Sequence, residues 1–210
     1  MIKVLRYEIG PMPTNAYIGY DEDTKAGFLI DPAVYVKAIT DKIKELEIDL
    51  QYIILTHGHF DHIEGVEDFK KDFPQAKVVC HGEEREMLRS GELNSSLDFR
   101  GVPYTTEADV TVRHRESMKI GNSELTFFHT PGHTKGGISV YTPGNPGYCF
   151  SGDTLFRRSI GRTDFHGGDF RTLMNSIKDV LFYLPDETVV LPGHMDPTTI
   201  GEEKRGNPFV

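Results

Sequence analysis

Cysteine is scarce: the 210-residue chain has two, Cys80 and Cys149, and no CxxC pair. Both lie in apolar runs, Lys77-Val-Val-Cys80 and Tyr148-Cys-Phe150. They read as buried free thiols of a reducing cytosol, which excludes a disulfide framework and a cysteine nucleophile. No apolar run approaches the roughly 20 residues that a membrane-spanning helix needs. The opening Met1-Ile-Lys-Val-Leu-Arg-Tyr-Glu-Ile-Gly has no apolar stretch of signal-peptide length. A cytoplasmic protein with no membrane partner is the expectation. Positive charge is short too, with 23 Lys and Arg against 32 Asp and Glu for a net −9 and a pI of about 5.5. Such a field repels nucleic-acid phosphates, so nucleic acid is not the expected partner. Repeats, low-complexity tracts and linker-like stretches are absent as well.

What is present suits one folded domain spanning 1–210, with 38% apolar and 26% charged residues. Val36, Ile39, Ile43 and Leu46 recur at helical spacing after Asp31-Pro32. Ile63, Val66, Phe69 and Phe73 do the same up to Pro74, predicting a single helix over 63–73. Phe170, Leu173, Met174, Ile177, Val180, Leu181 and Leu184 form a third stripe, stopped by Pro185. Short apolar runs bounded by Gly, Pro, Asn or Asp lie between these helices and read as strands. The segment 89–108 has the least pattern and reads as loop.

Four apolar runs end in a small or turn-forming residue followed by a potential metal ligand. They are Ile53-Ile-Leu-Thr56-His57, Phe127-Phe-His-Thr-Pro-Gly132-His133, Cys149-Phe-Ser-Gly152-Asp153 and Val189-Val-Leu-Pro-Gly193-His194. Strand ends let side chains converge at a rigid, partly open edge, as a catalytic metal requires. The run His57-Gly-His59-Phe-Asp61-His62 adds four ligand-type side chains within six residues. In an extended segment His57 and His59 point the same way, and the turn into a helix aims Asp61 and His62 at a second point. That spacing suits two neighbouring metals. Imidazoles with a few carboxylates favour zinc, with iron or manganese as alternatives. The isolated His81, His114, His129 and His166 read as ordinary surface or hydrogen-bonded residues.

The set His57-Gly-His59-Phe-Asp61-His62, Gly132-His133, Gly152-Asp153 and Gly193-His194 resembles the metallo-β-lactamase superfamily over nearly the whole chain. The resemblance implies an α+β fold, a four-layer αββα sandwich with two divalent metal ions at one edge of the sheets. It implies that His57, His59 and His133 hold the first metal, Asp61, His62 and His194 the second, and that Asp153 bridges them. Within the superfamily, Gly152-Asp153-Thr-Leu-Phe156, Ser159-Ile-Gly-Arg162-Thr-Asp-Phe165 and the tail from Thr199 to Phe209 are similar to short glyoxalase II-like (hydroxyacylglutathione hydrolase-like) enzymes. The helical C-terminal domain that binds glutathione in full-length enzymes has no counterpart, since only residues 195–210 follow His194. The loop position of a glutathione-contacting Lys is Arg162, and the Tyr two places on is Asp164.

The implied activity is hydrolysis of a small anionic thioester such as S-lactoylglutathione. Two metals supply hydroxide at neutral pH and stabilise a carbonyl oxyanion, and Asp61 is the catalytic residue expected to orient the attacking oxygen. A thiolate leaves readily without a general acid. Lys135, Arg157, Arg158 and Arg162 are expected to gather positive charge near the site, with Arg162 binding the substrate. The rival class is a persulfide dioxygenase of the same fold, whose single iron would use His57, His133 and Asp153; the Gly161-Arg-Thr-Asp-Phe165 loop suits it. β-Lactamase, nuclease, flavin-linked diiron and non-catalytic binding roles rank lower.

Overall fold

Neighbouring strand residues enter different cores, and this alternation builds the layers. Leu29, Ile53, Leu55, Val78 and Cys80 belong to one apolar cluster with Ile39, Ile43, Ile63, Val66 and Phe69. Phe28, Ile30, Ile54 and Val79 face the opposite way, against Leu125, Phe127, Val140, Phe150 and Leu191. Cys149 and Val190 turn to a third cluster with Leu173, Ile177, Leu181 and Ile200. The order is therefore helices, sheet, sheet, helices, the expected αββα sandwich.

The computed structural model describes residues 1–210. Its first sheet has β1 (Ile2–Ile9), β2 (Thr14–Asp21), β3 (Ala26–Ile30), β4 (Asp49–Ile54), β5 (Lys77–His81) and β6 (Val110–Val112) in that spatial order. β1 to β3 are antiparallel and β3 to β6 parallel. The second sheet contains β7 (Glu116–Ile120), β8 (Ser123–His129), β9 (Ile138–Thr142), β10 (Tyr148–Gly152), β13 (Val189–Pro192) and β14 (Thr198–Thr199), ordered β14-β13-β10-β9-β8-β7. A small hairpin, β11 (Leu155–Phe156) with β12 (Ser159–Ile160), follows β10. Phe150 sits at the centre between the sheets, edge-on to Tyr17 and Phe28 with ring centroids 5.4 and 5.7 Å away. Each such buried aromatic contributes roughly 1.5–3 kcal/mol. Both thiols are buried and free, and burial pushes each up to about 12.

The helices are α1 (Lys37–Glu45), α2 (Phe60–Ile63), α3 (Val66–Asp72), α4 (Arg85–Leu88), α5 (Ser96–Arg100), α6 (Phe170–Asn175) and α7 (Ile200–Gly206). Three expectations need correction. The single helix over 63–73 is two, α2 and α3, because the chain is pressed against Pro32 at the join. Gly65 N–H donates to Pro32 O at 2.7 Å, and a Cβ on Gly65 would stand 2.5 Å from that oxygen. The stripe over 170–184 is not one α-helix either. Capped by Asp169, whose carboxylate accepts from Thr172 N–H at 2.7 Å, it passes from α6 into a π turn, Ser176–Val180, and a 3₁₀ turn, Leu181–Tyr183. The wider π turn keeps Leu173, Ile177 and Leu181 buried, while Phe170, counted in the stripe, is exposed. The third correction is α5, inside the segment read as loop.

The Gly65 contact yields a test. Gly65→Ala should cost about 2 kcal/mol by overpacking against backbone, lowering Tm by roughly 4–8 °C. An unchanged melting curve would show that α2 and α3 are not wedged against Pro32.

Candidate metal centre

Parallel β3 and β4 end side by side, and their ends build the first part of the site. Asp31, one residue past β3, has φ +48°, an uncommon conformation for a residue other than Gly. Its buried carboxylate accepts from Thr56 N–H at 2.8 Å and Thr56 Oγ1–H at 2.6 Å. It also lies 2.9 Å from His62 Nδ1. Because Thr56 gives its proton to Asp31, its oxygen is left to accept from His57 Nδ1 at 3.1 Å. His133 Nδ1 faces Arg162 O at 2.7 Å, and His194 Nδ1 faces Pro13 O at 3.2 Å. Four imidazoles thus have Nδ1 engaged by an acceptor, which places a proton there and leaves Nε2 as the atom turned to the cluster, the arrangement a metal-binding histidine needs.

The structure brings all seven residues singled out in the sequence together. One ligand atom each from His57, His59 and His133 lies within 4.8 Å of the others, and the same holds for Asp61, His62 and His194. Asp153 stands between the two groups. Its Oδ2 is 3.6 Å from both His133 Nε2 and His194 Nε2, and its Oδ1 is 3.5 Å from His62 Nε2. His57 Nε2, His59 Nε2 and Asp153 Oδ1 are buried without any hydrogen-bond partner. Buried polar atoms that converge unpaired cost free energy unless something else satisfies them. Three imidazoles around one point, two imidazoles and a carboxylate around a second, and Asp153 facing both fit a pair of divalent cations.

The electrostatics agree. Burial drives His57 and His59 well below the ordinary imidazole value, helped by their neighbouring histidines, so both are neutral. Burial also disfavours charge on His62, but the carboxylates of Asp153, Asp61 and Asp31 prevail and raise it to about 10. Burial likewise disfavours the Asp61 carboxylate, yet His62 and His194 hold it well below the usual carboxylate range. A proton on His62 thus offsets part of the cluster's negative charge, the role a cation takes over on binding.

Sequence reasoning missed two residues that hold this cluster in place. Asp31 had a weak signal, a carboxylate at a strand end. Glu84 had none, standing between Glu83 and Glu86. It is fully buried, its Oε2 accepting from Gly58 N–H at 2.8 Å and its Oε1 from Gly136 N–H at 2.6 Å. Gly58 separates His57 from His59, so one side chain ties the first ligand loop to the loop after His133. Burial raises its carboxyl against those hydrogen bonds.

His59, Asp61, His133, Asp153 and His194 open into a cavity of about 380 Å³ whose other lining is mainly apolar, including Met12, Phe60, Phe99, Phe156, Ile160 and Phe165. Of the four cations expected here, only Arg162 lines it. Arg157 pairs loosely with Asp196 at 3.9 Å and Arg158 reaches the carbonyl of Gly206, while Lys135 packs beside Gly167. Arg162 is itself committed. Its Nε and Nη2 donate to the two oxygens of Asp164, both at 2.7 Å, and its guanidinium lies 3.8 Å from the Phe165 ring centroid. Outside the cavity, His81 and His129 are not isolated but stack at 3.9 Å and 13°. With Glu83 they bring three ligand-type atoms within 4.8 Å of one another at a partly exposed position.

Residues 9–194 match the family model described as Metallo-beta-lactamase superfamily. The chain belongs to that superfamily. It is 36% identical to the probable metallo-hydrolase YqgX of Bacillus subtilis, covering 100% of this chain and 98% of that protein. It is 33% identical to hydroxyacylglutathione hydrolase GloC of Haemophilus influenzae, covering 90% and 89%. Among solved structures, the BLEG-1 B3 metallo-beta-lactamase superposes with a TM-score of 0.92 at 39% identity over 99% of both chains. ETHE1 from Myxococcus xanthus gives 0.81 at 33% identity over 98% of this chain and 83% of that one. TTHA1623, in a di-iron-bound form, gives 0.84 at 31% over 98% and 100%. The superfamily member described here is a metal-dependent hydrolase. No helix in it is long and apolar enough to cross a membrane.

Metal binding should be visible in protons. In the metal-free protein His62 is charged below about pH 10, and ligation through Nε2 requires its lone pair. Zinc titrated into metal-free protein at pH 8, in buffers of different ionisation enthalpy, should release about one proton or more per chain. The release should fade as pH rises through 10, where His62 is already neutral. Tight binding with no proton release at pH 8 would place the zinc elsewhere.

Proposed function

We propose that this protein is a cytoplasmic, zinc-dependent thioester hydrolase of the glyoxalase II-like type, with a dinuclear site. The observation that carries the reading is the placement of Asp153, whose two oxygens face both histidine groups at 3.5–3.6 Å. His57, His59 and His133 would hold one ion, Asp61, His62 and His194 the other. Bound there, the ions would polarise a substrate carbonyl and bring the acidity of water near neutral pH. Asp61, ionised and 3.3 Å from His194, lines the cavity and can accept a hydrogen bond from the attacking water, orienting it. The lining contains no Lys, Tyr, Glu or Cys to protonate a poor leaving group. A thiolate, with a conjugate acid near pKa 8.5, needs no such help. The 33% identity to GloC supports this substrate class.

Two observations favour other readings. The likeness to BLEG-1 makes a β-lactam a competing substrate, which the sequence ranked low. The loop Gly161 to Phe165 favours the single-iron dioxygenase alternative, while the likeness to a di-iron-bound protein favours iron over zinc at a two-metal site. Metal content of protein purified without added metal separates them, about two zinc per chain favouring hydrolysis and one iron the dioxygenase.

With its native metal, the enzyme should hydrolyse S-lactoylglutathione with a higher kcat/KM than nitrocefin or a phosphodiester reporter, and Asp153→Ala should abolish this while the fold persists by circular dichroism. A phosphodiester or nitrocefin as best substrate overturns the thioesterase reading. Oxygen uptake driven by a persulfide, with no hydrolysis, supports the dioxygenase.

We also propose Arg162 as the contact for the anionic carrier thiol. A substrate carboxylate would have to displace Asp164 from the same bidentate geometry, so the net gain is reduced. Arg162→Ala should raise KM for an anionic thioester about threefold to tenfold and change kcat little. Equal effects on a neutral thioester would make Arg162 a loop support.

A further inference from the structure

The exposed large apolar side chains are not scattered evenly. Met12, Phe99 and Met195, each 42–52% exposed, all line the metal cavity. The cavity continues outward, since Met12, Phe60 and Phe99 also line a second, mostly apolar hollow that ends at Pro11, Val34 and Arg100. The charge on Arg100 is taken up by Glu64 at 2.5 Å. One wall of this groove is a row of aromatic rings. Phe165 meets Phe99 edge-on at 6.4 Å, and Phe99 stacks on Phe60 at 5.4 Å and 21°. Arg162 stands over Phe165 at one end of that row, and Met12 with Val34 lies at the other.

Phe99 is held on a built platform. Asn94, fully buried, donates through Nδ2 to Tyr104 O at 2.9 Å and accepts from Ser96 N–H at 2.9 Å. Its carbonyl accepts from Phe60 N–H at 3.0 Å, fastening α5 to the helix that carries Asp61 and His62. Ser95, at φ +65°, takes a conformation that costs a non-Gly residue free energy. Exposed apolar surface on a fixed support, continuous with a catalytic cavity, marks a ligand groove.

We propose that the groove from the metals past Phe60 and Phe99 to Met12 and Val34 receives an unbranched apolar acyl chain, so that the preferred substrates are thioesters of medium-length fatty acyl groups and not of small hydroxyacyl groups. This deepens the thioesterase reading and rests on it. The carrier thiol and the acyl group leave the thioester carbon in different directions. Arg162 at one end of the aromatic row suits the charged carrier, and the apolar groove at the other offers hydrogen-bonding groups to none of the acyl carbons. A lactoyl hydroxyl would gain nothing there.

The test separates binding from turnover. Burying one methylene corresponds to about threefold to fourfold in affinity. With S-acetyl-, S-butyryl-, S-hexanoyl- and S-octanoylglutathione, kcat/KM should rise about threefold per methylene until the groove is filled. Non-hydrolysable S-methyl- to S-octylglutathione thioethers should show the same slope in Kd by calorimetry. Phe99→Ser and Met12→Ser, both at exposed positions, should each flatten the two series, lowering the hexyl-to-methyl ratio about fivefold or more. A flat thioether series, or one the variants leave steep, overturns the groove assignment whatever the hydrolysis results. A steep thioether series with no thioester turnover overturns the thioesterase reading alone. A flat series in which Phe99→Ser also converts a dimer to a monomer gives the groove to a second copy of the chain, and the acyl proposal fails.

Discussion

The carboxylate of Asp31 is the joint on which the metal centre rests. It closes a chain of hydrogen bonds that begins at His57 Nδ1, passes through the Thr56 hydroxyl and ends on Oδ2, which also meets His62 Nδ1. His57 belongs to one histidine group and His62 to the other. A single buried side chain therefore sets the tautomer and ring plane of one ligand in each group. Removing one acceptor would let two imidazoles turn, and metal affinity typically falls 10–100-fold on such a loss. The left-handed backbone of Asp31 is the conformational cost of aiming a carboxylate back under the strand ends.

Glu84 does for the loops what Asp31 does for the rings. Its two oxygens take main-chain N–H groups from Gly58 and Gly136, where a side chain would be blocked by backbone at Gly136 and would press on the carboxylate at Gly58. A Cβ on Gly136 would come within 2.7 Å of Glu84 N, and one on Gly58 within 3.0 Å of the carboxylate. The sandwich core supplies rigidity up to the last strand residue. From there to the ligands, buried carboxylates carry it, which is how a site made of loops keeps the precision of a sheet.

This division explains what could be read from the sequence. The convergence of the seven ligand-type residues was legible because four lie within His57 to His62 and the others each follow a glycine at the end of an apolar run. The layer order came with the family resemblance those residues carry, since alternation and helical stripes are local patterns and by themselves gave only strands and helices in mixed order. The break at Gly65 was not, since it depends on Pro32, more than thirty residues away in the chain and touching only in the fold. The π turn after Asn175 was not, because it leaves the apolar stripe almost unchanged. Asp31 and Glu84 are two carboxylates among 32 acidic residues, and only their burial against the ligand loops, a feature of the fold, sets them apart. Arg162 lines the cavity, but its pairing with Asp164, two residues on, is a feature of the fold that its position in the sequence did not show.

That pairing changes how a substrate can be held. The chain carries a net −9, and the one arginine in the cavity lining faces a carboxylate of its own. An anionic thioester is therefore not drawn in by the protein's overall field; beyond a Debye length of about 8 Å the field is screened in any case. Within the cavity, exchanging one carboxylate for another on Arg162 changes little except orientation, because a charged pair is made for each one broken. Affinity must then come from surface that is better covered than left in water. The cavity and the hollow that continues it have such surface in Phe99, Phe60, Met12 and Met195. On the proposed thioesterase reading, charge at Arg162 would choose which end of the substrate enters, and the apolar wall would set how tightly it stays.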